Sequence, residues 1–154
     1  MTTVVERPRL GTASNASVGS LYAVDVMSAP VVSVQVECGL LAAWNVLRSH
    51  GVHHLVVLDG ARVAGVVRES DLLVAWADQP FVQPGQRVRQ MLRPRTPSVI
   101  TSDPLAVVAE TLLREDMRAV PVVTPRGELV GVVTATDLLR AVAEAADGKP
   151  STLA

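Results

Sequence analysis

The chain has 154 residues, 49% of them hydrophobic and 19% charged, which excludes a disordered composition and suits one ordinary domain or two small halves sharing a core. Aromatic residues make up 3% (Tyr22, Trp44, Trp76 and Phe81), so the core must come from Val, Leu and Ala, and an aromatic stacking platform for single-stranded nucleic acid is excluded. Fourteen basic against fifteen acidic residues give a net charge of -1 with no basic run, which speaks against a nucleic-acid partner.

Residues 1–20 are rich in Thr, Ser, Gly and Asn without periodicity and read as a flexible N-terminal tail. Glu6, Arg7 and Arg9 stand where a signal peptide needs its apolar run, and no stretch is long and apolar enough to span a bilayer. A cytoplasmic protein with no membrane partner is expected. A β-rich run over 31–36 leads into an amphipathic helix through Leu40, Trp44 and Leu47, which stops at Gly51 as its C-cap. Two apolar strands follow at 55–58 and 63–67, joined by the turn Asp59-Gly60, and a helix begins near Glu69. Residues 79–86, with Pro80, Pro84 and Gly85, form a linker. A second β-rich run covers 98–101. Asp103 as N-cap and Pro104 at the first position then open a helix whose apolar stripe is Leu105, Val108, Ala109, Leu112 and Leu113. Strands at 120–123 and 129–133, joined by Pro125-Arg126-Gly127, precede a last helix from near Ala135, and 148–154 form a C-terminal tail.

The two halves, 21–78 and 87–147, are copies. Val24 to Pro30 matches Val88 to Pro94 at an offset of 64, His53 to Val57 matches Arg118 to Val122 at 65, and Gly65 to Leu73 matches Gly131 to Leu139 at 66. Each copy runs β-α-β-β-α, an α/β architecture of the α+β type. The strands are apolar on both faces, so each sheet is covered on both sides. Its own helices take one face, and the partner half takes the other, because a half of about sixty residues is marginal alone. Pseudo-two-fold symmetry, with sheets packed together and helices outside, leaves clefts between the halves.

The paired Gly-Val-Val-x-x-Ser/Thr-Asp-Leu-Leu blocks, each preceded by an Asp/Arg-x-Met start, resemble a stand-alone tandem pair of CBS (cystathionine-β-synthase) domains. That resemblance implies a regulatory module binding an adenosine-containing ligand: AMP, ADP or ATP, with S-adenosylmethionine or NADH as further candidates and no required cofactor. It implies that the last-motif Asp holds the ribose hydroxyls and that the Thr three residues before it contacts ribose or phosphate. In the second motif these are Asp137 and Thr134, with Thr136 beside them. Arg118 is implied in phosphate contacts, Pro97, Val99 and Ile100 around the adenine, and Val120 and Pro121 at its apolar rim. The first motif supplies Asp71 and Ser70, with His53 and His54 for phosphate and Val31, Val32 and Val34 near the base. It departs from the pattern at Arg68, which replaces the Thr: with His53 and His54 nearby this site either favours a polyphosphate or is degraded, and the complete second motif is expected to carry the better site. A carboxylate accepts from both hydroxyls of a diol, and a helix N-terminus favours an anion.

Thr134-x-x-Asp137 is equally a capping box that needs no ligand, although Asp71 persists without such a partner, which points to a task of its own. His50 and His54 have a spacing that suits one helix face, but Gly51 ends the helix between them and no acidic or Cys cluster stands nearby, so no metal is expected. Cys38, the single cysteine, sits near a helix N-terminus, where a thiol pKa can fall, although a packing role is the ordinary reading. Trp44 and Trp76 fall on apolar helical faces, as core or dimer contacts. No nucleophile or phosphate-loop motif is present, so no catalytic residues and no enzyme are expected. A homodimer through the motif helices, acting on an unknown regulated protein, completes the reading. The alternative is a ligand-free dimeric interaction scaffold, and a third reading is a redox or metal sensor using Cys38 or the histidines.

Overall fold

In the computed structural model, residues 3–5, 17–29, 31–78, 85–115 and 117–146 are described. The elements run β1 (Thr3–Val5), α1 (Ala23–Val26), β2 (Val31–Gln35), α2 (Leu40–His50), β3 (His54–Asp59), β4 (Arg62–Arg68) and α3 (Glu69–Asp78), then β5 (Val99–Ile100), α4 (Leu105–Arg114), β6 (Ala119–Val123), β7 (Leu129–Thr134) and α5 (Ala135–Ala146). The repeated β-α-β-β-α order is the one found. One sheet has the order β1-β2-β3-β4 and the other β5-β6-β7. In both, a parallel pair crossed by a helix (β2–β3, β5–β6) is followed by an antiparallel hairpin (β3–β4, β6–β7).

Period-two alternation along each strand divides its apolar side chains between two layers. On β3, Leu55 and Val57 face the cluster holding Leu40, Ala43, Leu47 and Leu72 of the helices. Val56 and Leu58 instead join Val31 of the same sheet and Leu129 of the other in a separate buried cluster. The sheets thus pack on each other with helices outside. At the end of α2, Gly51 takes φ 63° and ψ 31°, the left-handed C-cap that a Cβ would strain.

Three expectations change. Thr3–Val5 lies within the expected tail but forms an antiparallel edge strand, with Val4 opposite Val32, and so covers the open backbone edge of β2. Asp103 is not the N-cap of α4. Pro104 holds that position with an extended ψ of 149°, and the Asp103 carboxylate accepts from the Ile100 N–H at 2.8 Å. Lastly, the copies in sequence are not the packing units. Ala23, Val26 and Met27 are buried in the core of the second half, while Val88 is buried in that of the first. Ala23 N–H donates to the Asp103 carbonyl at 2.9 Å, and Val88 N–H to that of Cys38, also at 2.9 Å. Each half therefore lends its leading segment to the other. The expected linker is described only at Gly85 and Gln86, and the C-terminal tail lies outside the described residues.

Candidate functional site

Each strand-to-helix junction is built alike. The N–H of Glu69 donates to the His53 carbonyl at 3.0 Å, and the N–H of Ala135 donates to the Arg118 carbonyl at 3.2 Å. The chain entering the hairpin is thereby tied to the start of the helix leaving it. At the second junction the Asp137 carboxylate accepts from Thr134 N–H (2.7 Å), Thr134 Oγ1 (2.8 Å) and, across the molecule, Ser28 Oγ (3.0 Å). Arg140 approaches it at 3.4 Å, and the side chain is only 5% exposed. Asp137 N–H in turn donates to Thr134 Oγ1 at 3.2 Å, completing the reciprocal cap. At the first junction Asp71 is 32% exposed and is held by the residue that replaces the threonine. Arg68 donates from its backbone N–H (2.9 Å), from Nε to both carboxylate oxygens (3.2 Å each) and from a terminal nitrogen (2.9 Å).

A cavity of about 310 Å3 opens at Asp71. Its first wall comes from β3, β4 and α3, with His54, Val66, Arg68, Asp71, Val74 and Ala75. The opposite wall is the segment before β5, with Met91, Arg93, Arg95, Thr96 and Pro97, and the stretch from Glu115 to Ala119 through Met117 and Arg118. Its lining mixes apolar side chains with four guanidinium groups and two carboxylates. Burial pushes the His54 pKa below its ordinary 6.5, and the positive charges of His53, Arg68 and Arg118 push the same way against Asp71.

The sequence matches the CBS domain family over residues 23–78 and 88–144. The chain belongs to the CBS domain family. Among solved structures, a CBS domain protein of Pyrobaculum aerophilum complexed with AMP is 26% identical with a TM-score of 0.70, covering 80% of this chain and 98% of that one. The cytosolic domain of the Mg2+ channel MgtE in complex with ATP is 28% identical with a TM-score of 0.65, over 77% of this chain and 47% of that one. The A-adding tRNA nucleotidyltransferase of Geobacter sulfurreducens is 29% identical over 123 residues, 77% of this chain, which spans 13% of that protein's length.

The CBS clefts regroup the residues singled out from sequence. Arg118 and Pro97, expected beside Asp137, line the cavity at Asp71 together with Arg68 and His54. The remaining candidates do not line it. Val32, Val34, Val99 and Val120 are core, Val31 lies between the sheets, and Pro121 is buried in β6. Ile100 is at the surface, Ser70 and Thr136 are exposed in the first helical turns, and exposed His53 pairs with Glu69 Oε2 at 2.8 Å. Arg93 and Arg95 escaped the sequence reading because their segment has no periodicity. The spacing of two arginines about Pro94 in Arg93-Pro-Arg-Thr-Pro97 was the available signal.

Among the described residues no group of three or more His, Cys, Asp or Glu could hold a metal ion, and no helix is long and apolar enough to cross a membrane. Burial pushes the Cys38 thiol up, outweighing the opposite pull of the Arg87 charge. Trp44 and Trp76 meet edge to face, ring centroids 5.0 Å apart, between α2 and α3.

Proposed function

We propose that the protein is a regulatory module that senses an adenosine nucleotide in the cleft between its CBS motifs, at Asp71. The observation that carries this reading is the cavity itself, which brings apolar side chains, the Asp71 carboxylate and arginines from both motifs together around about 310 Å3. The AMP and ATP complexes of the similar structures support the same class of ligand. Its walls come from both halves, so a bound nucleotide favours the arrangement that closes them, and a partner protein reads that population shift. We assign binding and no turnover, since the activity named for the Geobacter relative belongs to a protein of which this chain spans 13%.

We also propose a homodimer, because Leu41, Leu73, Leu113 and Leu139 stand exposed on four different helices, an apolar surface of the kind that marks an interface. Those helices equally favour a second reading, a scaffold without a ligand. Calorimetric titration of AMP, ADP, ATP, NADH and S-adenosylmethionine into the purified chain, with Asp71→Ala in parallel, tests the sensing role. Saturable binding weakened by Asp71→Ala is expected. Absence of heat with all five at millimolar concentration refutes the sensor and leaves the scaffold.

A further inference from the structure

We propose that the cleft at Asp71 selects a nucleoside polyphosphate, and that Arg68 enforces this choice by occupying the Asp71 carboxylate until an anionic ligand draws it away. The inference rests on the nucleotide reading above and adds the ligand class.

The duplication aligns Arg68 with Thr134. In the second motif the Thr134 N–H and hydroxyl and the Ser28 hydroxyl hold Asp137 at 2.7–3.0 Å, with Arg140 farther off at 3.4 Å. In the first, the guanidinium contacts both oxygens of Asp71. A ribose diol needs those oxygens, so it binds only after the guanidinium has swung off, while the backbone N–H of Arg68 can stay. The two side chains are 31% and 32% exposed, and a pair so open to water exchanges readily for a better partner. A neutral nucleoside offers the displaced guanidinium nothing. A phosphate offers it a two-oxygen acceptor of higher charge, which the planar guanidinium fork can grip.

The rest of the cleft favours the same ligand. Arg93, Arg95 and Arg118 join Arg68 on its walls, against the carboxylates of Asp71 and Glu115. Burial holds His54 toward its neutral form, so it adds little to this excess of positive charge. A sulfonium nucleoside would bring another cation into it and be repelled. Affinity should therefore fall in the order ATP, ADP, AMP, with adenosine and S-adenosylmethionine last.

The test is calorimetric titration of ATP, AMP, adenosine and inorganic tripolyphosphate into the parent, Arg68→Thr and the double variant Arg93→Gln/Arg95→Gln. The parent should bind ATP at least roughly tenfold more tightly than adenosine, and Arg68→Thr should shrink that ratio by roughly tenfold, partly by tightening adenosine. The double variant, altered only at exposed positions, should lose ATP affinity and keep that for adenosine, an arm that does not depend on Arg68→Thr folding. Equal affinity of the parent for ATP and adenosine, or an undiminished ratio in a folded Arg68→Thr, overturns the selection while leaving the nucleotide reading in place. Tripolyphosphate bound as tightly as ATP overturns the nucleoside part of the ligand class. A parent that binds no nucleotide overturns the underlying reading itself.

Discussion

Removing the carboxylates one at a time separates a structural aspartate from an available one. Asp137→Ala deletes the acceptor of the Thr134 N–H at 2.7 Å and leaves that donor at a junction where the side chain is 5% exposed. Loss of such a cap costs about 0.5–2 kcal/mol. The bond from Ser28 Oγ ties the exchanged N-terminal segment to α5, and its loss adds about 0.5–1.5 kcal/mol. A total of about 1–3.5 kcal/mol is expected, which for this size of chain lowers the melting temperature by roughly 2–14 °C. Asp71→Ala loses the equivalent Arg68 N–H cap, about 0.5 kcal/mol at this one-third exposed junction, and an ion pair of about 0.2–1 kcal/mol, about 0.7–1.5 kcal/mol together. Urea unfolding followed by circular dichroism checks both, with the midpoint moving and the slope constant. Nucleotide affinity should show the opposite order, with Asp71→Ala weakening ATP by roughly tenfold or more and Asp137→Ala by less than about threefold. Thr134→Ser keeps the cap oxygen and should be mild in both assays. If Asp71→Ala is the more destabilising variant, or Asp137→Ala the more damaging to binding, the assignment of the two carboxylates is reversed.

Gly131→Ala places a Cβ against buried Met27 and should destabilise by about 1–3 kcal/mol, whereas Gly65→Ala meets the more yielding side chain of half-buried Leu92 and should cost less in the same urea titration. His54 has a folded pKa below 6.5, so the unfolded chain binds more protons as pH falls through that value. The unfolding midpoint should therefore drop between pH 7.5 and 5.5, and drop less in His54→Gln; an identical pH slope in both proteins would clear His54 of the effect. Leu113 and Leu139 are 83% and 71% exposed on α4 and α5, and the double change to Glu should turn the proposed dimer into a monomer by sedimentation velocity without altering the circular dichroism spectrum. A parent that sediments as a monomer at micromolar concentration removes the dimer from the reading.

Much of the fold was legible because its signals are local. The switch from apolar alternation to helical spacing marks the starts of α3 at Glu69 and of α5 at Ala135, and Gly51 ends α2 where its left-handed conformation requires it. The site was less legible because it lies between the halves. A repeat tells which residues correspond, but not which half a connecting segment packs on. Ala23 and Met27 therefore read as part of the first motif although they are buried in the second. The same gap separates Arg118 from Asp71, which no spacing along the chain brings together. The strand at Thr3–Val5 is three residues in a polar stretch, and only the open edge of β2 gives it a reason to form.

The duplication also explains why two equivalent carboxylates come to differ. Ser28 and Leu92 occupy matching places in the two leading segments. Because those segments are exchanged, Ser28 reaches the Asp137 junction and donates its hydroxyl there, whereas Leu92 packs toward Gly65 with no donor to offer Asp71. A buried carboxylate must be satisfied, and Asp137 is, at 2.7–3.0 Å by the Thr134 N–H and hydroxyl and the Ser28 hydroxyl, with the Arg140 guanidinium more distant at 3.4 Å. Asp71 lacks that partner and remains one-third exposed, so the charged side chain of Arg68 at the end of β4 serves instead. A fixed cap has no cheap alternative state. A surface ion pair does, since either member can be taken by a ligand with little loss to the fold. Two differences between the copies, Ser28 against Leu92 and Thr134 against Arg68, thus leave one junction closed and the other one-third exposed, open to the proposed ligand.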